Sequence, residues 1–170
     1  MDALTAIRTR RSVRAYTEKP VPEEHVRTML EAAMAAPSAG NSQPWKFVVA
    51  DDPAVLAKAA TLHQYAGPAK NAPLGILVCG DLDAEKYPGF WVQDCSAAIQ
   101  NLLLAAAALG LGSVWLGLYP VEERITAART LFSLPDNLIP LAFLCVGHPR
   151  TEQQPQDRYD ESKIRRNRWA

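Results

Sequence analysis

From Cys95 to Val121 the chain carries no charged side chain, although 18 basic and 18 acidic residues are spread over the rest of its 170 positions. A run of this kind either crosses a bilayer or lies inside a protein core. Its interior decides between the two. Gln100 and Asn101 interrupt the apolar surface, and "LGLGS" at 109–113 breaks the helical pattern before a continuous apolar span of about 20 residues is complete. The sequence therefore predicts a buried core helix over about 94–109, with Gly110 suited to its C-terminal cap, followed by the buried strand "SVWLGL" and no membrane association.

The other elements are placed around that helix. Asp2 can cap a short first helix with Leu4 and Ile7 inward. Pro22, Glu23 and Glu24 open a second, in which Val26, Met29, Leu30, Ala33 and Met34 form an apolar stripe that ends before Pro37. "WKFVVA" at 45–50, "LGILVCG" at 74–80 and "LIPLAFLCVG" near the end read as strands. Asp52 and Pro53 open a helix expected to reach about residue 64, and "VEERITAARTLF" is a helix with Ile125, Ala128, Leu131 and Phe132 inward. Strands and helices mix without strict alternation and without an internal repeat. The class is α+β or mixed α/β around one central sheet. With 48% hydrophobic residues, residues 1–170 suit a single domain that buries roughly 70% of its unfolded surface. The polar tail, 148–170, cannot build a core, and on composition alone it favours disorder. Tyr159, Ile164 and Trp169 are nevertheless spaced along it as anchors for packing on another protomer.

Charge and motifs exclude several function classes. The formal net charge is zero and the pI about 6.8, so the molecule as a whole should not bind polyanions, and no base-reading motif points to nucleic acid. There is no P-loop, and Gly110, Gly112 and Gly117 lack the spacing of a dinucleotide fingerprint. His25, His63 and His148 do not have metal-ligand spacing, and no nucleophile elbow occurs. Cys79, Cys95 and Cys145 are odd in number and embedded in apolar sequence, which reads as reduced packing residues in a reducing cytoplasm. "MDALTAIRTRR" has no apolar core of signal-peptide length and is expected not to be a secretory signal. An enzyme with this inventory needs a bound cofactor for the hard chemical step.

Two local features suit such a group. "RTRRSVRAY" at 8–16 concentrates Arg10, Arg11 and Arg14 around the Ser12 hydroxyl, a set that fits either a phosphate or a solvated helix end. "APSAGNSQPW" places Pro37, Ser38, Ala39, Asn41 and Gln43 on a turn, where amides can hydrogen-bond the heteroatoms of a flat polar ring; an ordinary polar loop has the same composition. Phe90 and Trp91 fit either a pocket rim or buried packing.

"RRSVRAY", "APSAGNSQPWKFVV", "DCSAAIQNLLLAAAALGLGSVWLG" and "QPQDRYDESKI", in this order and over nearly the whole chain, resemble the flavin-dependent nitroreductase family. The resemblance implies an α+β nitroreductase-like fold, with a central mixed, largely antiparallel sheet flanked by helices. It implies an FMN-containing homodimer with two flavin sites at the interface and a C-terminal arm, 148–170, exchanged with the partner protomer. Carried onto this chain, it places Arg10, Arg11 and Ser12 at the phosphate and ribityl end and Arg14 at the pyrimidine edge of the ring. The loop of Pro37, Ser38, Ala39, Asn41 and Gln43 would come from the other protomer. The backbone of Leu116 and Gly117 would lie near the reactive flavin nitrogen, and Arg158 would close over the phosphate. Gln156 stands where many relatives have a second basic residue, and Leu116 where larger relatives are often acidic. The insertion that covers the pocket in larger members is missing, so no substrate specificity transfers. The implied activity is transfer of electrons from NADH or NADPH through FMN to a nitroaromatic, quinone or similar acceptor by a ping-pong mechanism, with no side-chain acid or base required. Reductive dehalogenation, flavin fragmentation and a non-catalytic FMN-binding dimer are the alternatives.

Overall fold

In the computed structural model, which describes residues 1–151 and 154–169, the uncharged run is the middle of the molecule. It forms helix α4 (Trp91–Ala108) and strand β3 (Gly112–Gly117), joined by a turn in which Gly110 has φ +76°. That left-handed conformation is the reason for a glycine there. The remaining strands are β1 (Trp45–Ala50), β2 (Leu74–Asp81) and β4 (Leu138–Gly147). They form one sheet in the order β1-β2-β4-β3, antiparallel at every pairing. Among the described residues the one parallel element is an isolated bridge between Ser12 and Ser113.

All of β2 and most of β4 are buried, because helices cover both faces of the sheet. Alternation along the strands sends Ile76, Val78, Leu144 and Val146 to one face, where they meet α4 and Val26, Met29 and Ala33 of α2 (Glu23–Met34). Leu77, Cys79, Phe143 and Cys145 point to the other face, against Leu56 and Ala59 of α3 (Pro53–Ala59) and Ala128 of α5 (Glu122–Phe132). The three cysteines are free and buried in these layers, and burial pushes each thiol up to about 12. No helix among the described residues is long and apolar enough to cross a membrane.

Three expectations fail locally: the inward placing of Leu4 and Ile7, that of Met34, and the end of α3. In α1 (Ala3–Thr9) only Ala6 is buried, and Leu4 and Ile7 face outward, 63% and 53% exposed. The helix packs on α4 through its small residue rather than its large ones, and Ala3 and Ala6 face Ala32, Ala35, Ala105 and Ala108 across a shallow cleft. Met34 likewise stands half exposed. Helix α3 stops at Ala59 instead of about 64, where the Thr61 hydroxyl donates to the Lys58 carbonyl (2.8 Å), a local bond that competes with the helical ladder. The tail from 154 to 169 is exposed throughout, with one short turn at Glu161–Lys163, and Tyr159 and Trp169 are 74% and 70% exposed.

Candidate cofactor site

The arginine-rich segment is fixed by the residues between its arginines. Val13 and Tyr16 are buried; the Val13 N–H donates to the Ser113 carbonyl (2.9 Å), and the Tyr16 hydroxyl donates toward the carbonyls of Val13 (2.5 Å) and Cys145 (3.2 Å). Burial drives the phenol pKa upward, so Tyr16 is a neutral donor. Gly112 makes the docking possible, since a Cβ there would lie 2.7 Å from the Val13 side chain. The chain then passes to the end of β4, where the Thr17 N–H donates to His148 and Arg150 Nε donates to the Tyr16 carbonyl (2.7 Å). The result is an anchored backbone that leaves Ser12 and Arg14 exposed and Arg10 and Arg11 half-buried.

Arg10, Arg11 and Arg158 converge on a cleft of about 580 Å³ between the end of α1 and the tail. Arg11 donates through Nε to the Gln154 carbonyl (3.0 Å) and through Nη1 to the carbonyls of Arg8 (3.0 Å) and Arg10 (2.7 Å), and its Nη2 is buried without a partner. Burial, with Arg158 and Arg11 nearby, holds the Arg10 guanidinium below its ordinary pKa. No ion pair among the described residues uses Arg10, Arg11, Arg14 or Arg158. Asp157 lines the same cleft, with its carboxylate accepting from the Tyr159 N–H, and Gln156 accepts from Arg158 Nη2 (3.0 Å). Arginines that outnumber the one carboxylate in the cleft and form no ion pair among the described residues suit a phosphate dianion. Arg14 stands apart, with Nη1 at 3.4 Å from the Ser12 carbonyl.

The Pro37–Gln43 loop is held by polar bonds. Asn41 and Gln43 have φ +53° and +49°, conformations that cost non-glycine residues of order 1–3 kcal/mol unless the surroundings fix them. Here Ser38 Oγ accepts from the Gln43 N–H (2.9 Å), Asp94 accepts from the Ala39 N–H (3.0 Å) and the Ser42 hydroxyl (3.4 Å), and Lys86 Nζ donates to the Gly40 carbonyl (2.7 Å). Gly40 has φ +57° and lies so close to the Tyr87 ring that a Cβ would come within 2.7 Å of it. Asn41 and Gln43 are exposed and bonded to each other (3.0 Å). Trp91 is buried against Gly80 and stacks edge-on with Tyr119 at 5.0 Å, whereas Phe90 is exposed beside Tyr87.

Strand β3 supplies the last component. It is an edge strand, and the Ser113 carbonyl faces outward to Val13, so by alternation Trp115 and Gly117 also turn their backbone groups outward while Leu116 faces β4. Gly117 lies four residues, about 13 Å, along that edge from the Ser12 bridge. Its carbonyl accepts from Arg124 Nη1 (2.9 Å), and no atom stands within 4 Å of where its Cβ would be.

Within one chain the structure brings Arg10, Arg11 and Arg158 to one cleft, while Ser12, next along the chain, is bridged to Ser113 at the start of β3, with Gly117 further along the same edge. It does not bring the 37–43 loop to them. The loop is bonded to Asp94 in the first turn of α4, whereas Arg10 and Arg11 share a cleft with Ala107 and Gly110 at its other end, about 20 Å away at 1.5 Å per helical residue. Asp94 and Arg124 carry parts of this arrangement that the sequence did not reveal. A signal for Asp94 was present, since it is the charge immediately before the uncharged run. Among the described residues no group of three or more His, Cys, Asp or Glu side chains could hold a metal ion.

The model of the nitroreductase family matches residues 7–73 and 64–148. A Methanothermobacter thermautotrophicus protein provisionally named NADH dehydrogenase/NAD(P)H nitroreductase is 47% identical over 169 residues, 99% of this chain and 88% of the relative. A crystal structure carrying the same provisional name, from Bacteroides thetaiotaomicron, superposes with a TM-score of 0.94 at 44% identity and covers 98% of both chains. A provisionally named nitroreductase from Desulfovibrio desulfuricans, solved in complex with FMN, has a TM-score of 0.86 at 36% identity and covers 100% of this chain and 99% of its own. The chain belongs to the nitroreductase family.

Proposed function

We propose that the protein is an FMN-dependent oxidoreductase that takes electrons from NADH or NADPH and passes them to a nitroaromatic, quinone or similar acceptor in two successive half-reactions at one site. The observation that carries this reading is the Arg10, Arg11 and Arg158 cluster, which has no ion-pair partner among the described residues and stands at the head of the outer edge of β3. Bound FMN would supply hydride acceptance and electron transfer.

The chain's own work is binding and orientation. Arg10, Arg11 and Arg158, with the Ser12 hydroxyl, hold the phosphate. Gly117, held by Arg124, offers an outward backbone N–H at the ring end of the edge, beside Leu116. Arg14 supplies positive charge at the pyrimidine edge, where it favours an anionic reduced ring. The Pro37, Ser38, Ala39, Asn41 and Gln43 loop comes from the second copy of a homodimer, which accounts for its distance from the arginines within one chain. The exposed Leu4 and Ile7 and the uncovered tail, Tyr159, Ile164 and Trp169, are then interface and arm residues.

The test is reconstitution of cofactor-free protein with FMN and with riboflavin, which lacks only the phosphate. Binding of FMN at least a hundredfold tighter than riboflavin supports the assignment; equal affinity removes the phosphate site. Initial rates with donor and acceptor varied together should give parallel double-reciprocal lines, and intersecting lines would remove the two-half-reaction scheme.

A further inference from the structure

We propose that Asp94 is a positioning residue for the flavin site, fixing the Ser38–Gln43 loop in the shape that presents Asn41 and Gln43; the inference rests on the assignment of that loop to the flavin. Asp94 is buried, 5% exposed, in the first turn of α4, where the helix N-terminus favours a carboxylate. It forms no ion pair among the described residues. Its described partners are instead two loop donors, the Ala39 N–H on Oδ1 (3.0 Å) and the Ser42 hydroxyl on Oδ2 (3.4 Å).

Those donors stand on either side of Gly40 and Asn41, which adopt φ +57° and +53°. A buried carboxylate that bridges both ends of a left-handed turn sets the direction in which the turn projects its side chains. Lys86, which bonds the Gly40 carbonyl from outside, is exposed and replaceable by water; Asp94 is enclosed and is not. Helix α4 buries residues from Trp91 to Ala106 in the core, so its first turn is anchored where it meets the loop.

The experiment combines amide hydrogen exchange on cofactor-free protein with FMN titration, for wild type, Asp94→Ala, Asp94→Asn and Ser42→Ala. In Asp94→Ala, exchange over residues 38–43 rises at least tenfold relative to the β2 amides, and the FMN dissociation constant rises about tenfold. Asp94→Asn keeps an oxygen for the Ala39 N–H and an amide that the Ser42 hydroxyl can accept, so both quantities stay within threefold of wild type. Ser42→Ala removes one of the two bonds without touching the core, gives an intermediate loop effect, and tests the proposal if Asp94→Ala does not fold. Unchanged loop exchange in Asp94→Ala and Ser42→Ala overturns the anchoring, and faster exchange with unaltered FMN affinity overturns the positioning role. Failure of the wild type to bind FMN defeats the functional reading and this role with it, and the exchange data then report the anchoring by itself.

Discussion

The arginine segment and the Pro37–Gln43 loop are built in opposite ways. In the first, apolar burial of Val13 and Tyr16 fixes ordinary backbone, and the arginines, though Arg11 bonds three carbonyls, are left without ion pairs among the described residues. In the second, buried and exposed polar groups hold a backbone with three left-handed residues, and the presented side chains are neutral amides. The difference follows from the ligand groups each would meet. A phosphate needs charge more than exact direction, and long guanidinium arms adapt to it. A planar ring needs neutral donors and acceptors at defined angles, which a rigid turn gives at little entropic loss on binding.

The contrast breaks most visibly at the charges. Replacing Arg10 and Arg158 together with alanine removes two charge-assisted contacts worth about 1.5–3 kcal/mol each, so FMN affinity should fall at least a hundredfold. The melting temperature of the cofactor-free protein should change little or rise, because Arg10 and Arg158 repel each other in the empty cleft. Isothermal titration and calorimetry measure both, and a large loss of stability would show that these arginines are structural.

Tyr16→Phe should behave in the reverse sense. It leaves the carbonyls of Val13 and Cys145 without their hydroxyl donor, a loss of about 1–3 kcal/mol, and lowers the melting temperature by several degrees. FMN affinity should then fall only as far as the segment loosens. A stability unchanged from wild type would show that Tyr16 does not anchor the cradle.

The effect that is smallest at neutral pH concerns the core between the two regions. The thiols of Cys79, Cys95 and Cys145 are raised by burial from 9.0 to about 12, so between those pH values the unfolded chain loses protons that the folded chain keeps. Stability should therefore be insensitive to these groups below about pH 8 and fall with rising pH above 9. At pH 8, alkylation followed by mass spectrometry should proceed only as fast as the protein opens. Rapid modification of any of the three in the native protein would contradict their burial.

Elements that bury a full apolar face were legible in the sequence, because periodicity reports burial directly. The uncharged run gave α4 and β3, and the apolar runs at 74–80 and 138–147 gave the two central strands. The same logic failed at Leu4, Ile7 and Met34, because an apolar side chain on a helix need not face the core of its own chain. The arginine segment and the loop were visible as compositions, and the family resemblance connected them. Asp94 and Arg124 were missed because their role lies in a contact 55 residues away for Asp94 and in a backbone carbonyl for Arg124, neither of which local spacing encodes.

The most direct test of the account is anaerobic addition of NADH or NADPH to the FMN-reconstituted protein while its visible absorbance is followed. The account predicts a yellow protein that retains FMN through gel filtration, bleaches with at least one of the two donors, and regains its colour when a quinone or nitroaromatic is added. A protein that stays colourless after reconstitution, or whose bound flavin is reduced by neither donor, would contradict it.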